Sequence, residues 1–293
     1  HAFLKICECS VATHNAVDSL KDAADFVTSN DHGNGVCELI EMLLVDDLAS
    51  LQSRLARHDL EIGKLPIGAP VCLPAYGSTI LIAGTSGGSK STLASAIMES
   101  MLSHDYQFCI VDPEGDYEGF ENTVVHGDQD HAPQDSQVLT LLEKRFQNVI
   151  VNLLAIGVND RPKHFENFLQ SLLKLRKNVG RPHWIVIDET HHLLPESWDP
   201  SLLFPQKIFN LLMITVHPDH ISKSFLQNVD SIIAIGKTPN QTLSLFNERL
   251  GQQSPLTEFG TLEAGEAVLW KVKDGKEPFK FQTTPKLHST SLI

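Results

Sequence analysis

The sequence predicts an α/β protein built on a mostly parallel sheet, and three observations carry that expectation. Six short apolar runs, TILIA (79–83), QFCIV (107–111), VIVNLL (149–154), WIVID (184–188), LLMITV (211–216) and SIIAIG (231–236), alternate with helical or loop stretches. Continuous apolar, β-branched runs belong to strands buried on both faces, as in a parallel sheet covered by helices. The first run passes through a glycine-rich turn into Lys90-Ser91-Thr92 and a helical pattern, and the fourth ends in the adjacent acids Asp188 and Glu189. In open α/β sheets the carboxyl ends of the strands are where ligands bind.

The composition is that of a folded chain. With 293 residues, 42% hydrophobic and 20% charged, there is enough apolar mass for one large domain and a small appendage, which excludes a disordered chain. Five scattered cysteines (Cys7, Cys9, Cys37, Cys72, Cys109) form no C-x-x-C pair and have no histidine at zinc-site spacing, so they read as reduced thiols. There is no signal-like start and no apolar run near ~18 residues, so no membrane span and a cytoplasmic location are expected. A net charge of −13 argues against a broad nucleic-acid-binding face and leaves room for a local contact. A chain opening on His1-Ala2-Phe3 reads as a fragment of something longer.

Along the chain, CSVA (9–12) is strand-like, AVDSLKDAADFV (16–27) has apolar spacing near 3.6, and GVCELIEMLLVDDL (35–48) follows the turn DHGNG. The order expected is strand, helix, turn, helix. Residues 49–70 are mixed in composition and end in Pro66, Gly68 and Pro70, which marks a linker or the entry to a second domain. The tail after 273 has little core potential and is expected to be extended or frayed.

The stretch TILIAGTSGGSKST (79–92) reads as a phosphate cradle. A tight loop between strand and helix aims successive backbone N–H groups and a helix N-terminus at one point, so phosphate oxygens are held with few cationic side chains. Gly84, Thr85, Ser86, Gly87, Gly88, Ser89, Lys90, Ser91 and Thr92 form the candidate loop. Lys90 would reach the β- and γ-phosphates of ATP, and the Ser91 hydroxyl would hold Mg²⁺. Ser89 stands where a glycine is expected. If that position needs positive φ, a side chain costs about 1–2 kcal/mol, a 5- to 30-fold loss. If instead the Cβ intrudes on a phosphate, binding is lost.

In HWIVIDETHHLLP (183–195), Asp188 would sit beside the loop and hold Mg²⁺ through its water shell, and Glu189 would polarise an attacking water as general base. His191 and His192 follow directly, but adjacent residues leaving a strand face different ways and no third ligand has suitable spacing, so packing or hydrogen bonding near the site is expected of them. CIVDPEGDYEGF (109–120) carries Asp112, Glu114, Asp116 and Glu118, either as carboxylates that tune the metal and water or as an ordinary acidic turn. In LLMITVHPDH (211–220), Thr215 and His217 lie at a strand end that could face the γ-phosphate as polar sensors, or His217 is a turn histidine.

These four stretches, in this order, resemble the HerA/FtsK branch of RecA-like P-loop ATPases, and in particular bacterial ATPases reading L-I-A-G-T-S-G-x-G-K-S-T, V-D-P-E-G-D-Y-E and R-P-H-W-x-V-I-D-E-x-H-H. The likeness covers about residues 57–273. It implies a RecA-like sheet of order 5-1-4-3-2 with extra strands, ATP and Mg²⁺ as cofactors, and a homo-oligomeric ring, usually a hexamer, with ATP between subunits. It also implies an arginine supplied by the neighbour and work on a polymer, DNA by analogy. The departures are Ser89 and the presence of Thr215 and His217 where relatives often carry a sensor glutamine. A module that binds nucleotide without turnover is the rival implication of Ser89.

Residues 1–56 resemble the C-terminal end of a Cof-type haloacid-dehalogenase phosphatase, through Val11-Ala12-Thr13-His14-Asn15-Ala16 and Asn30-Asp31-His32-Gly33-Asn34-Gly35-Val36. That resemblance implies a small α/β remnant without its acidic metal motif or nucleophilic aspartate, hence no phosphatase activity in this chain and an intact protein that is a phosphatase-ATPase fusion; the alternative is an N-terminal α/β appendage of no special kinship. Within 161–181, Arg161, Lys163, Lys174, Arg176, Lys177 and Arg181 face only Glu166. That excess could hold the arginine finger, contact a polyanion or be a solvated helix face.

Overall fold

The computed structural model describes residues 4, 7, 9–46, 48, 50–51, 59–85, 89–198, 207–252 and 257–284. The chain divides into two compact units, one of residues 1–60 with 72–77 and the other of residues 61–71 with 78–293. The boundary therefore interleaves, where the sequence suggested a clean change of domain at 56.

In the first unit, β1 (Val11–Ala12), α1 (Asp18–Lys21), β2 (Phe26–Val27) and α2 (His32–Asp46) follow one another, and β1 pairs in parallel with β2. The long helix expected over 16–27 is thus cut to one turn. The cause lies in Asp25, whose carboxylate accepts from the Ser10 N–H at 2.6 Å and the Ser10 hydroxyl at 2.8 Å, drawing the segment into a strand beside β1. The helix at 35–48 instead begins at His32. Asn15 Oδ1 accepts the His32 N–H at 2.8 Å, satisfying one of the amides a helix start leaves open. The Glu38 carboxylate takes N–H groups of Ser29 and Asn30, which holds it below the usual carboxylate range.

The second unit carries the large sheet. Its strands are β3 (Leu60–Lys64), β4 (Pro70–Leu73), β5 (Thr79–Gly84), β6 (Phe108–Asp112), β7 (Thr123–His126), β8 (Asn148–Asn152), β9 (Trp184–Ile187), β10 (Leu211–Thr215), β11 (Ser231–Ile235), β12 (Glu266–Lys271) and β13 (Phe279–Thr283). They lie in the order β4-β3-β13-β12-β11-β5-β10-β9-β6-β8-β7. From β11 to β7 every pairing is parallel. The run β11-β5-β10-β9-β6 is the 5-1-4-3-2 order of the RecA-like fold. All six apolar runs are strands here, and β5, β6, β8, β9, β10 and β11 are buried along their whole length. Each buried Leu, Ile or Val side chain contributes about 1.5–3 kcal/mol, which is why these strands tolerate no solvent-facing alternation.

Helices α3 (Lys90–Ser103), α4 (Asp135–Leu142), α5 (Arg161–Val179), α6 (Thr190–Leu193), α7 (Lys223–Leu226) and α8 (Pro239–Leu250) connect the strands. Helix α5 starts with Pro162 in its first turn and stops at Gly180, which takes φ 71°; α8 begins on Pro239 and stops at Gly251, φ 72°. One face of α5 buries Phe165, Phe168, Leu169 and Leu172 in the core with Val111, Val151 and Ile187 of the sheet.

The segment after 273 corrects the expectation of a coreless tail. Residues Phe279–Thr283 form β13, antiparallel to β12 and to β3, with Phe281 buried. Lys280 and Gln282 alternate with Phe279, Phe281 and Thr283, and so short a stretch gives no clear period without its partners. Residues 285–293 lie outside the described residues. Residues 60–64 and 70–73 are strands, so the stretch from 60 on is entry to the second domain rather than linker.

Candidate nucleotide and metal site

Four strand ends converge. β5, β10, β9 and β6 run parallel in register, Thr215 opposite Ala83 and Val111 opposite Ile187, so Gly84, Thr215, Asp188 and Asp112 all reach the same carboxyl edge. Gly84 is required there because β11 approaches so closely that a Cβ would meet the Ile235 carbonyl oxygen at 2.0 Å. Ser86, Gly87 and Gly88 lie outside the described residues. On the far side of the loop, Ser89 takes φ 63° and ψ 23°, the left-handed region, and directly precedes α3. Of the two consequences drawn from the sequence for Ser89, the conformational one is realised: its backbone follows the path a glycine would take, and its side chain is exposed.

Lys90 opens α3 with its side chain buried, and Nζ donates to the Thr85 carbonyl at 3.2 Å, folding the lysine back across the loop. Burial pulls its pKa down, while Glu189 and Asp188 pull it up. Asp188 is buried at 2% exposure, and burial, reinforced by the charges of Glu189 and Asp112, pushes its pKa up to about 8. Glu189 sits in the left-handed region at φ 38° and ψ 50°, a conformation that costs a non-glycine residue about 1–3 kcal/mol and clusters at working sites. Its pKa is raised by burial first, then by Glu114 and Asp116, with Lys90 opposing.

The acidic turn resolves into two kinds of carboxylate. Asp112 is structural: Oδ1 accepts the N–H groups of Glu114, Gly115 and Asp116 at 3.2, 2.8 and 3.2 Å, and Oδ2 accepts that of Tyr117 at 2.9 Å. Glu114 and Asp116, carried on the turn thus formed, direct their charge at Glu189. Glu118 is elsewhere engaged, accepting from Asn152 Nδ2 at 2.8 Å.

The sensor candidates separate. Thr215 is fully buried; Oγ1 accepts the His217 N–H at 3.0 Å and lies 3.1 Å from His191 Nδ1. The same His191 nitrogen is 3.3 Å from Glu189 Oε2, a buried oxygen with no hydrogen bond of its own. His191 thus lies between Thr215 and Glu189, the packing or hydrogen bonding near the site that the sequence led one to expect of it. Burial and the neighbouring His192, His217 and His220 lower its pKa to about 4, so at neutral pH it is an uncharged imidazole. His217 is exposed on the following turn and stacks on His220. Tyr117, unforeseen, is buried; burial first and then the charges of Asp188 and Asp112 raise its pKa well above the phenolic value.

The residues present fit a magnesium ion. Asp188, Glu189, Glu114 and Asp116 gather negative charge at this edge, which Lys90 opposes only in part. Carboxylate and hydroxyl oxygens are the hard donors such an ion takes, usually with several waters retained. Of the basic stretch on α5, Arg176 is half-buried and spends its guanidinium on the carbonyls of Pro182 (3.0 Å) and Phe209 (2.7 Å), desolvation lowering its pKa to about 10. Arg161 is buried and bonded to the Ile156 carbonyl at 3.1 Å. Neither is free to reach a neighbouring subunit.

Residues 60–228 match the family model described as helicase HerA, central domain. The chain belongs to the HerA central-domain family. The match spans the phosphate loop, the acidic turn, the Asp188-Glu189 edge and Thr215, the stretches whose strand ends meet at the site. This HerA-family chain is also similar in fold to the genome packaging NTPase B204 from Sulfolobus turreted icosahedral virus 2. The B204 complex with ATP-gammaS is 14% identical, covers 72% of this chain and 98% of that chain, and superposes with a TM-score of 0.50. The complex with AMPPCP is 15% identical with the same coverage and score, and the complex with sulfate is 14% identical over 71% of this chain and 96% of that one, again at 0.50. No curated protein matches the chain. Among the described residues no helix is long and apolar enough to cross a membrane.

Proposed function

We propose that residues 57–273 form an ATP-binding, ATP-hydrolysing motor-type domain that depends on Mg²⁺, acts as a homo-oligomeric ring and works on DNA. The observation that carries this reading is the meeting of buried Lys90 with the Asp188-Glu189 pair beyond the carboxyl ends of β5 and β9, the parallel strands that flank β10. In it, the loop from Gly84 to Thr92 and the amides opening α3 hold the phosphates, and Lys90 neutralises the β- and γ-phosphate charge. Ser91 and Asp188 would hold Mg²⁺, which offsets charge developing on the transferred phosphoryl. Glu189 takes a proton from the attacking water. His191, 3.1 Å from Thr215 Oγ1 and 3.3 Å from Glu189 Oε2, packs against the Glu189 carboxylate and is its positioning group.

Ring assembly and DNA rest on family membership and on B204 being a genome packaging NTPase of like fold. The rival, a nucleotide sensor without turnover, rests on Ser89; its exposed side chain and left-handed backbone are what support the enzyme reading over it. In this reading the first unit is the end of a haloacid-dehalogenase-type domain, supported by its strand-helix-strand-helix order and the Asn15 to His32 bond.

Titration calorimetry with ATP and Mg²⁺ tests the proposal. Binding is expected in the native chain and is abolished in Lys90→Ala; absence of heat at millimolar ATP in the native chain refutes it. A phosphatase assay on the chain is expected to give no turnover, and hydrolysis of an aryl phosphate would contradict the reading of the first unit.

A further inference from the structure

Thr215 ends β10, and the chain then enters a single 3-10 turn, Pro218–His220, capped by His217. In a 3-10 turn there are three residues per turn, so side chains three apart eclipse one another. His217 and His220 are related in this way, and their rings stack with centroids 4.8 Å apart and planes 23° apart. Asp219, between them, places Oδ2 3.6 Å from His220 Nε2. Its other oxygen, Oδ1, is buried with no hydrogen-bond partner. One ligand atom from each of His217, Asp219 and His220 lies within 4.8 Å of the other two.

We propose that His217, Asp219 and His220 form a binding site for a divalent transition metal of the zinc class, separate from the magnesium site. Two imidazoles and a carboxylate are the donor set that favours zinc, cobalt or nickel over magnesium or calcium. Three protein ligands, with water in the open position, make a complete tetrahedral shell. Around a zinc ion with ligands at about 2.0–2.1 Å, donor atoms stand about 3.3 Å apart, so the three groups must close by about 1.5 Å at most. Both imidazoles are exposed and can do so by side-chain rotation alone. The ion would satisfy Asp219 Oδ1, and His220 also lines an open cleft with Pro195, Ser197 and Arg249 that gives access from solvent.

The site adjoins the catalytic constellation without sharing its ligands. The His217 ring meets His191 edge-on at 5.3 Å, and His191 touches both Thr215 and Glu189. A metal fixing His217 would therefore stiffen the segment against which His191 rests.

The test uses the whole chain carrying no polyhistidine tag, titrated with Co²⁺ and read by the visible d–d absorption of the tetrahedral ion, with Zn²⁺ competition and calorimetry for stoichiometry. One equivalent is expected at micromolar affinity. Affinity should fall at least about 10-fold in His220→Gln and, separately, in Asp219→Asn, and be unchanged in His126→Gln on β7, far from the turn in sequence. Two independent substitutions, one at an exposed side chain, guard against a folding artefact, and circular dichroism verifies each. Absence of stoichiometric binding, or binding that survives both substitutions, overturns the proposal.

Discussion

Replacing Ser89 by glycine should make the fold more stable, by an amount the backbone specifies. At φ 63° and ψ 23° the serine is left-handed, which costs a residue with a Cβ about 1–2 kcal/mol. Glycine removes that cost but brings a freer unfolded chain, which returns about 0.5–1 kcal/mol. The Ser89 side chain makes no capping hydrogen bond to α3, so no bond is lost. The net expectation is a gain of about 0.5–1 kcal/mol, seen as a higher urea midpoint at unchanged slope and a melting temperature raised by about 1–3 °C. Ser89→Ala is the control: it keeps the Cβ and the strain and should gain nothing. Because the folded loop already carries the strain, nucleotide affinity should move by less than the 5- to 30-fold that full relief on binding would give. If glycine and alanine behave alike, or glycine destabilises, then backbone strain is not what Ser89 contributes.

Three further outcomes follow from the same geometry. Glu189→Gln should leave ATP binding intact and slow hydrolysis by about 10²- to 10⁴-fold in a steady-state assay, and unchanged turnover would place the base elsewhere, with Glu114 and Asp116 next. Gly84→Ala should cost at least about 2 kcal/mol in thermal or urea melts, because its Cβ would fall 2.0 Å from the Ile235 carbonyl, backbone that cannot rotate aside; an unchanged melt would refute that contact. His183 accepts the Gln107 N–H at 2.8 Å, and burial, then Arg181 and Arg176, lower its pKa to about 4. Its neutral form is the folded one, so between about pH 4 and 6.5 the unfolded chain binds more protons and stability is lost as pH falls, by about 2 kcal/mol from pH 7.5 to 5. In His183→Asn, whose side-chain oxygen can accept the same amide, the pH slope of the urea midpoint should flatten by that amount, and an identical slope would exclude His183 as its source.

What the sequence alone determined was the centre of the molecule. Strands β5, β6, β8, β9, β10 and β11 are buried on both faces, so each must be a continuous apolar run, and such runs are legible without a structure. That Gly84 and Asp188 stand at strand ends was legible because the apolar runs stop there. Tertiary structure decided whatever depended on a partner distant in the chain. Strand β13 exists because β12 and β3 pair with it, and the one-turn α1 because Asp25 bonds to Ser10 fifteen residues earlier. Among the carboxylates of the acidic turn, only the four amides gathered on Asp112 distinguish the structural acid from the two that face the site. His191 acquires its place between Thr215 and Glu189, and the 217–220 turn its stacked histidines, only when the chain has folded. A linear sequence records residue order and type, whereas hydrogen bonds and charge effects fall off within a few ångströms and are set only when the chain has folded.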